Sequence, residues 1–159
     1  MRCSKFSLVW MGHNVGALRQ IRGESVGTEA SSDQALEAGW VESLIDQLGL
    51  KPMLSSRDQA LLARYVWDMG QALAEVSRVL RRGGRAVYVI GDSMSKGTFI
   101  PNSSIVTAVA QEHGLSLVSR QSRALPANRR YLPPPRRWQS SATMDARLRR
   151  EVVLVFNKP

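Results

Sequence analysis

Cysteine is almost missing from this chain. Cys3 is the single one among 159 residues, so no internal disulfide can form, and a reducing cytoplasm is the expected setting. No histidine or second cysteine stands near it at metal-ligand spacing, which leaves Cys3 an ordinary thiol and gives no zinc or iron site. Histidine is nearly as scarce, with only His13 and His113. No Ser-His-Asp arrangement can be argued from the spacing, so nothing points to hydrolysis through an activated nucleophile. His113 falls at a helix end, where a cation is favoured and a structural role suffices. No run of 18 apolar residues occurs, which excludes a membrane-spanning helix. Residues 1–10 lack the basic, apolar and small-residue order of a signal peptide.

The second shortage is local. Residues 120–159 hold 2 acidic side chains against 10 basic ones, whereas residues 1–119 hold 11 against 12. Most of the net charge of +9 therefore sits in one quarter of the chain. Nine of the ten basic residues there are arginines, from Arg120 to Arg150. A guanidinium offers a planar, two-pronged fork that matches phosphate, so the block is the footprint of a polyanionic partner. The competing reading is a solvated basic tail around a stiff stretch, Pro126 and Pro133–Pro135.

What is present is enough for one folded domain. Apolar residues make up 43% of the chain, above the level of disordered sequences. Residues 1–55 read as a helical and loop region, with helices at residues 4–12 and at residues 35–48 closed by Gly49. Residues 56–119 read as helix, strand, helix, strand. Ser56 and Gln59 form a capping box. Leu62, Tyr65, Val66, Met69, Leu73, Val76 and Leu80 then fall on one stripe of a long helix, stopped by Gly83-Gly84 as a left-handed cap. Residues 86–90 are a continuous apolar run, the pattern of a strand buried on both faces of a parallel sheet. After a loop through Ile100, a helix runs from Ser103 to His113 with Ile105, Val106, Val109 and Ala110 inward. The next strand is Leu115–Val118. An Arg/Pro-rich loop fills residues 120–150, and a last strand occupies residues 151–157. The order is α/β.

A strand buried on both faces needs a neighbour on each side. Two other strands are too few. Either one neighbour of residues 86–90 lies outside this polypeptide, or a strand near residues 15–26 completes the sheet.

The passage Glu75 to Ser93, running through Arg78-Val79-Leu80, Gly83-Gly84 and the strand to Gly91-Asp92-Ser93, resembles the helix-to-strand passage of class I S-adenosylmethionine-dependent methyltransferases. Two further stretches narrow the likeness to the DNA-methylase type that acts on the amino group of cytosine or adenine. One is Lys5 to His13 with Leu18–Arg22 and Gly27–Glu29; the other is Arg123–Pro133 ahead of the final strand. The resemblance covers nearly the whole chain. It implies the C-terminal half of a Rossmann-like sheet, its last three strands with their helices. It also implies S-adenosylmethionine as the family's cofactor and nucleic acid, DNA over RNA, as partner.

Two defining features of that family are absent. No Ser-Pro-Pro-Tyr or Asp-Pro-Pro-Tyr segment, which holds a flipped base in the relatives, occurs in the sequence. No glycine-rich loop follows a first strand to cradle the cofactor. The chain begins where the catalytic segment of a relative has just ended, so a partial methyltransferase is expected. It would not bind the cofactor tightly by itself, and it would work with a separate N-terminal half. The residues left to touch substrate are Asp92 and Ser93 at the end of the central strand, with Arg123, Arg129 and Arg130 on phosphates and Tyr131 or Trp138 stacking on a base. Lys5 and Lys96 are weaker candidates for the same face. For Asp92 the alternative is plain turn capping. Two further readings stay open for the chain, a basic nucleic-acid-binding module without catalysis and a nonfunctional remnant.

Overall fold

A computed structural model describes residues 5–26, 28, 38–95, 98–125 and 150–159. Five helices and five strands follow in the order α1 (Lys5–Trp10), α2 (Val15–Gly23), α3 (Gly39–Gln47), a 3-10 turn (Lys51–Met53), α4 (Ser56–Val79), β1 (Arg85–Ile90), β2 (Ser93–Ser95), β3 (Thr98–Ile100), α5 (Asn102–Glu112), β4 (Ser116–Ala124) and β5 (Arg150–Asn157). The α/β class read from the sequence holds.

The long helix α4 forms where the apolar stripe places it. Its cap lies one residue earlier than the capping-box pattern suggests. Ser55 Oγ accepts from the Asp58 N–H at 3.2 Å, satisfying a donor that the first turn leaves open. Gln59 instead donates its side-chain amide to the carbonyls of Lys51 and Leu54, so it fastens the 3-10 turn and the residue after it to the helix. Leu62, Val66, Met69 and Leu73 are buried, as their spacing requires. Residues 15–26 hold a helix, not a strand: Asn14 Oδ1 caps α2 by accepting from the Ala17 N–H at 2.8 Å.

Three strands form the main sheet in the order β1-β5-β4, and both ladders are antiparallel. The parallel neighbours expected from the apolar run are therefore not what forms. β1 and β4 do run the same way, but the last strand of the chain lies between them. Residues 93–100, read as a loop, pair as the short hairpin β2–β3. β4 extends past Val118 to Ala124, so the start of the basic block is strand, with an irregularity between Leu117 and Ser119.

Packing is one-sided. On β5, Val152, Leu154 and Phe156 are buried against α4 and α5, joined by Ile105, Val106, Val109 and Ala110 of α5 and by Val41, Leu44 and Ile45 of α3. Each of the valine, leucine, isoleucine and phenylalanine side chains contributes roughly 1.5–3 kcal/mol by leaving water. On β1 only the alternate residues Ala86, Tyr88 and Ile90 turn toward this core; Val87 is 61% exposed and Val89 50%. The expectation of a strand covered on both faces is thus not met by the described residues. The reason is topological: α4 and α5 lie on one side, and no described element lies on the other. Along the outer edge of β1 no described strand pairs.

Candidate functional site at the carboxyl end of the sheet

β1 ends at Ile90, and the chain turns through Gly91, Asp92 and Ser93 before the hairpin. Ligands of open α/β sheets bind beyond strand carboxyl ends. The residues gathered here come from four elements. Asp92 Oδ1 accepts from the Ser103 backbone N–H at 2.8 Å. A carboxylate at that position satisfies an open donor of α5 and suits the positive end of its dipole. Asn102 donates its amide to the Gly91 carbonyl at 3.0 Å and to Ser93 Oγ at 3.1 Å. From β4, Arg120 turns to the core side and donates to Ser103 Oγ at 2.8 Å and Ser104 Oγ at 3.2 Å. Tyr65 of α4 completes the group, near enough for the Asp92 charge to act on its phenol.

The sequence singled out Asp92 and Ser93, and both stand here. Asp92 spends one oxygen on α5, the capping role that a Gly-Asp-Ser turn suggests. Arg123 lies near the same end of the sheet. Ile90 and Ser122 both pair with Val152, and two strand spacings of about 4.8 Å separate β1 from β4. Arg123 is ion-paired with Glu151 across the ladder, so part of its charge is already answered within the sheet. Arg129, Arg130, Tyr131 and Trp138 lie outside the described residues, as does Lys96, and Lys5 is described by its backbone alone.

Asn102, Ser103, Arg120 and Tyr65 were not foreseen as site residues. The fold, and not the sequence, marks two of them. Ser103 is polar yet fully buried beside the apolar inner face of α5, and a buried hydroxyl needs a partner. Arg120 occupies a core-facing ladder position opposite Leu154, which is unusual for arginine unless it is held.

Burial first, and the Asp92 charge second, hold the Tyr65 phenol above its ordinary pKa; burial does the same for Tyr88. A phenol that keeps its proton more tightly in the folded state stabilises the fold in full below the ordinary value of about 10. That contribution is lost as pH rises above it toward the raised value. Unfolding midpoints in urea at pH 8 and pH 11 are expected to differ less in Tyr65→Phe than in the parent chain. An unchanged pH dependence would assign the alkaline loss to other groups.

The arrangement can hold and orient a polar ligand. No described group of three or more His, Cys, Asp or Glu side chains is placed to bind a metal ion. The described residues also do not fit S-adenosylmethionine. The first strand leads into a hairpin and not into a glycine-rich turn opening a helix, and the first turn of the helix that does follow is capped by a carboxylate. Gly12, the one glycine with positive φ ahead of α2, follows a helix, not a strand. The half-open cavity between α3 and α4, about 160 Å³ and lined by Val41, Glu42, Ile45, Lys51, Gln59 and Ala63 among others, belongs to other elements. It falls below the roughly 300 Å³ at which small-molecule sites begin. No helix among the described residues is long and apolar enough to cross a membrane.

No protein-family model and no curated protein matches the chain. Among solved structures the chain is similar to a candidate DNA modification methylase of Thermus thermophilus. Its selenomethionine form aligns at 18% identity and a TM-score of 0.44, and its complex with S-adenosyl-L-methionine at 19% and 0.43. Each alignment covers 60% of this chain and 37% of that one, so the match spans little more than a third of that protein's length.

Proposed function

We propose that this chain is the C-terminal part of a methyltransferase of the DNA-methylase type, acting on an exocyclic amino group of a nucleic-acid base and inactive by itself. The observation that carries the reading is the passage from Arg78 to Ser93. In it a helix ends at Val79, turns through Gly83 and Gly84, enters β1 and delivers Gly91, Asp92 and Ser93 to the carboxyl end of the sheet. That is the stretch in which the sequence resembles class I methyltransferases, and the local geometry suits it. Methyl transfer depends on positioning the donor against the accepting nitrogen more than on acid–base side chains. A site of hydroxyls, an amide, a guanidinium group and one carboxylate already engaged with the first turn of α5 is compatible with it. In this reading S-adenosylmethionine is held by residues that this chain does not supply. Arg123, Arg129 and Arg130 steady the phosphates, Tyr131 stacks on a base, and Ser93 borders the substrate.

The arginine-rich stretch also favours a second reading, a basic module that binds nucleic acid without turnover. One experiment separates them. The chain is tested for binding of labelled S-adenosylmethionine and of duplex DNA, alone and joined in frame to the polypeptide encoded upstream of Met1. Salt-dependent DNA binding without cofactor binding is expected for the chain alone, and methyl transfer to base amino groups for the joined protein. DNA binding with no transfer in the joined protein leaves the module reading. Loss of both activities removes each of them. Arg129→Ala with Arg130→Ala is expected to weaken DNA binding across all sequences and to lower the slope of log affinity against log salt by about 2, one per arginine. An unchanged slope takes those residues out of the interface.

A further inference from the structure

Most of the described arginines are engaged within the fold. Arg64 holds Asp68, Arg78 holds Glu75 and Arg123 holds Glu151. Arg120 donates to Ser103 and Ser104, and Arg150 to Ser122. The turn between α4 and β1 departs from this. Arg81, Arg82 and Arg85 are exposed, and among the described residues their side chains make no hydrogen bond or ion pair. Arg19 and Arg57 are free as well, but one stands on α2 and the other on α4. Here three free cations fall within five residues. Residues 76–91 contain no Asp or Glu, and neither do residues 152–159, which meet the turn from β5.

A helix end attracts cations, and that alone would account for one arginine after α4. It does not account for three. The cation that answers the end of α4 is Lys158, whose Nζ donates to the Ser77 carbonyl at 2.6 Å. Arg85 is already the first residue of β1. The backbone beneath the three is also fixed. The Gly84 N–H donates to the Arg81 carbonyl at 2.9 Å, the Gly83 N–H to the Lys158 carbonyl at 2.7 Å, and the Lys158 N–H to the Gly84 carbonyl at 3.1 Å. Three like charges on such a mount repel one another until an anion comes between them. The mount itself has little freedom left to lose when that happens.

We propose that the turn carrying Arg81, Arg82 and Arg85 is a second nucleic-acid contact, which takes phosphodiester oxygens without reading sequence. It lies at the other end of the sheet from Asp92. Five strand steps of about 3.3 Å put Arg85 roughly 17 Å from Ile90. Ser103, the one buried polar side chain among the described residues, belongs to the Asp92 end, so nothing at the turn encloses a single small anion. A nucleic-acid strand brings one charge per about 3.4 Å of axis, so any register of it meets all three arginines. A protein surface would need three carboxylates gathered against one turn. Residues 126–149 hold six arginines and one acidic residue, Asp145, so they attract the same polyanion and do not neutralise the turn. The inference rests on the preceding proposal only in taking the polyanion to be nucleic acid; it needs neither the cofactor nor methyl transfer.

The test titrates duplex DNA of arbitrary sequence into the whole chain over a series of salt concentrations. Arg81→Gln with Arg82→Gln and Arg85→Gln is expected to lower the slope of log affinity against log salt by about 3, one per arginine. Changing the same three to Lys keeps the charge and with it the slope. Lys51→Gln removes a cation that Glu42 already answers and leaves the slope as it was. Because the three guanidinium groups have no partner, the unfolding midpoint of the Gln variant in urea does not fall below the parent's. Four results overturn the proposal. An unchanged slope in the Gln variant removes the turn from the interface. As large a fall per charge in Lys51→Gln makes net charge the cause. A lowered midpoint means that acidic residues of this chain, Glu29, Asp33 or Glu37, already answer the turn. Tighter binding of polyglutamate than of DNA makes the partner an acidic protein. Methyl transfer by the protein joined to its upstream polypeptide is scored separately. A lowered slope without transfer upholds the turn and defeats the functional reading; transfer with an unchanged slope does the reverse.

Discussion

Phe156→Ala is expected to lower the unfolding free energy by about 3–5 kcal/mol, a large share of the roughly 5–15 kcal/mol that a domain has. Phe156 lies in the middle strand and is fully buried. Its ladder partners are Ala86 on one side and Leu117 on the other. Its ring meets the Tyr88 ring edge-on, with centroids 6.1 Å apart, a geometry worth up to about 1 kcal/mol beyond burial. Truncation leaves a hole under two strands that cannot both close on it. Denaturant unfolding checks the prediction: the midpoint should fall with little change in slope. A loss below about 1 kcal/mol, outside the range of buried aromatic truncations, would mean that β5 does not sit between β1 and β4. The variant therefore tests the sheet order as well as the packing, because at an edge position the same residue would relax toward solvent.

That sheet order is the part of the fold that the sequence hid most completely. A local pattern reports which face of an element is apolar, and it does so well here. The α4 stripe from Leu62 to Leu73 and the inner face of α5 were both legible in the spacing, because each helix buries one side against one core. The apolar run at residues 86–90 was legible as a strand for the same reason. Which strand lies beside it is a nonlocal matter. Nothing in residues 150–157 says that they enter between two strands that precede them, and the run at Val87 and Val89 misled because it implies a cover that the described residues do not contain. Ser119 to Ala124 went unrecognised as strand because one neighbour and a polar outer face ask for no apolar residues. The hairpin at residues 93–100 is too short, at three residues a side, to show a period.

The site followed the same division. Asp92 and Ser93 were visible because a strand end announces itself. Tyr65, Asn102, Ser103 and Arg120 come from three other elements, and only the packing of α4, α5 and β4 brings them to Asp92. Arg120 was counted in the sequence only as one charge among many. Its two hydrogen bonds to Ser103 and Ser104 make it a positioning residue for the first turn of α5, which is a different thing from a phosphate contact. Charge counting locates a partner's surface at best. It does not say which arginine is already engaged at home.

The turn between α4 and β1 carries the second large prediction, and here the cause differs from the one the glycine pair suggests. Gly83 is the residue in the left-handed region, at φ 73°. Gly84 is required for space. A Cβ there would stand 2.7 Å from the Arg81 carbonyl oxygen and 2.9 Å from Leu80 Cγ, and the first of these is backbone that the turn has fixed. Gly84 donates its N–H to that same carbonyl at 2.9 Å and accepts from Lys158 at 3.1 Å, while Gly83 donates to the Lys158 carbonyl at 2.7 Å. Shifting Gly84 outward thus loosens the end of the β1–β5 ladder. Gly84→Val is expected to cost about 3 kcal/mol, at the upper end of overpacking penalties because backbone and not side chain must yield. Gly83→Ala meets no atom within 4 Å and costs only the left-handed strain of about 1–2 kcal/mol. Thermal and urea unfolding of the two variants side by side decide the matter. Equal losses, or a larger loss at Gly83, would show that conformation and not crowding governs this turn.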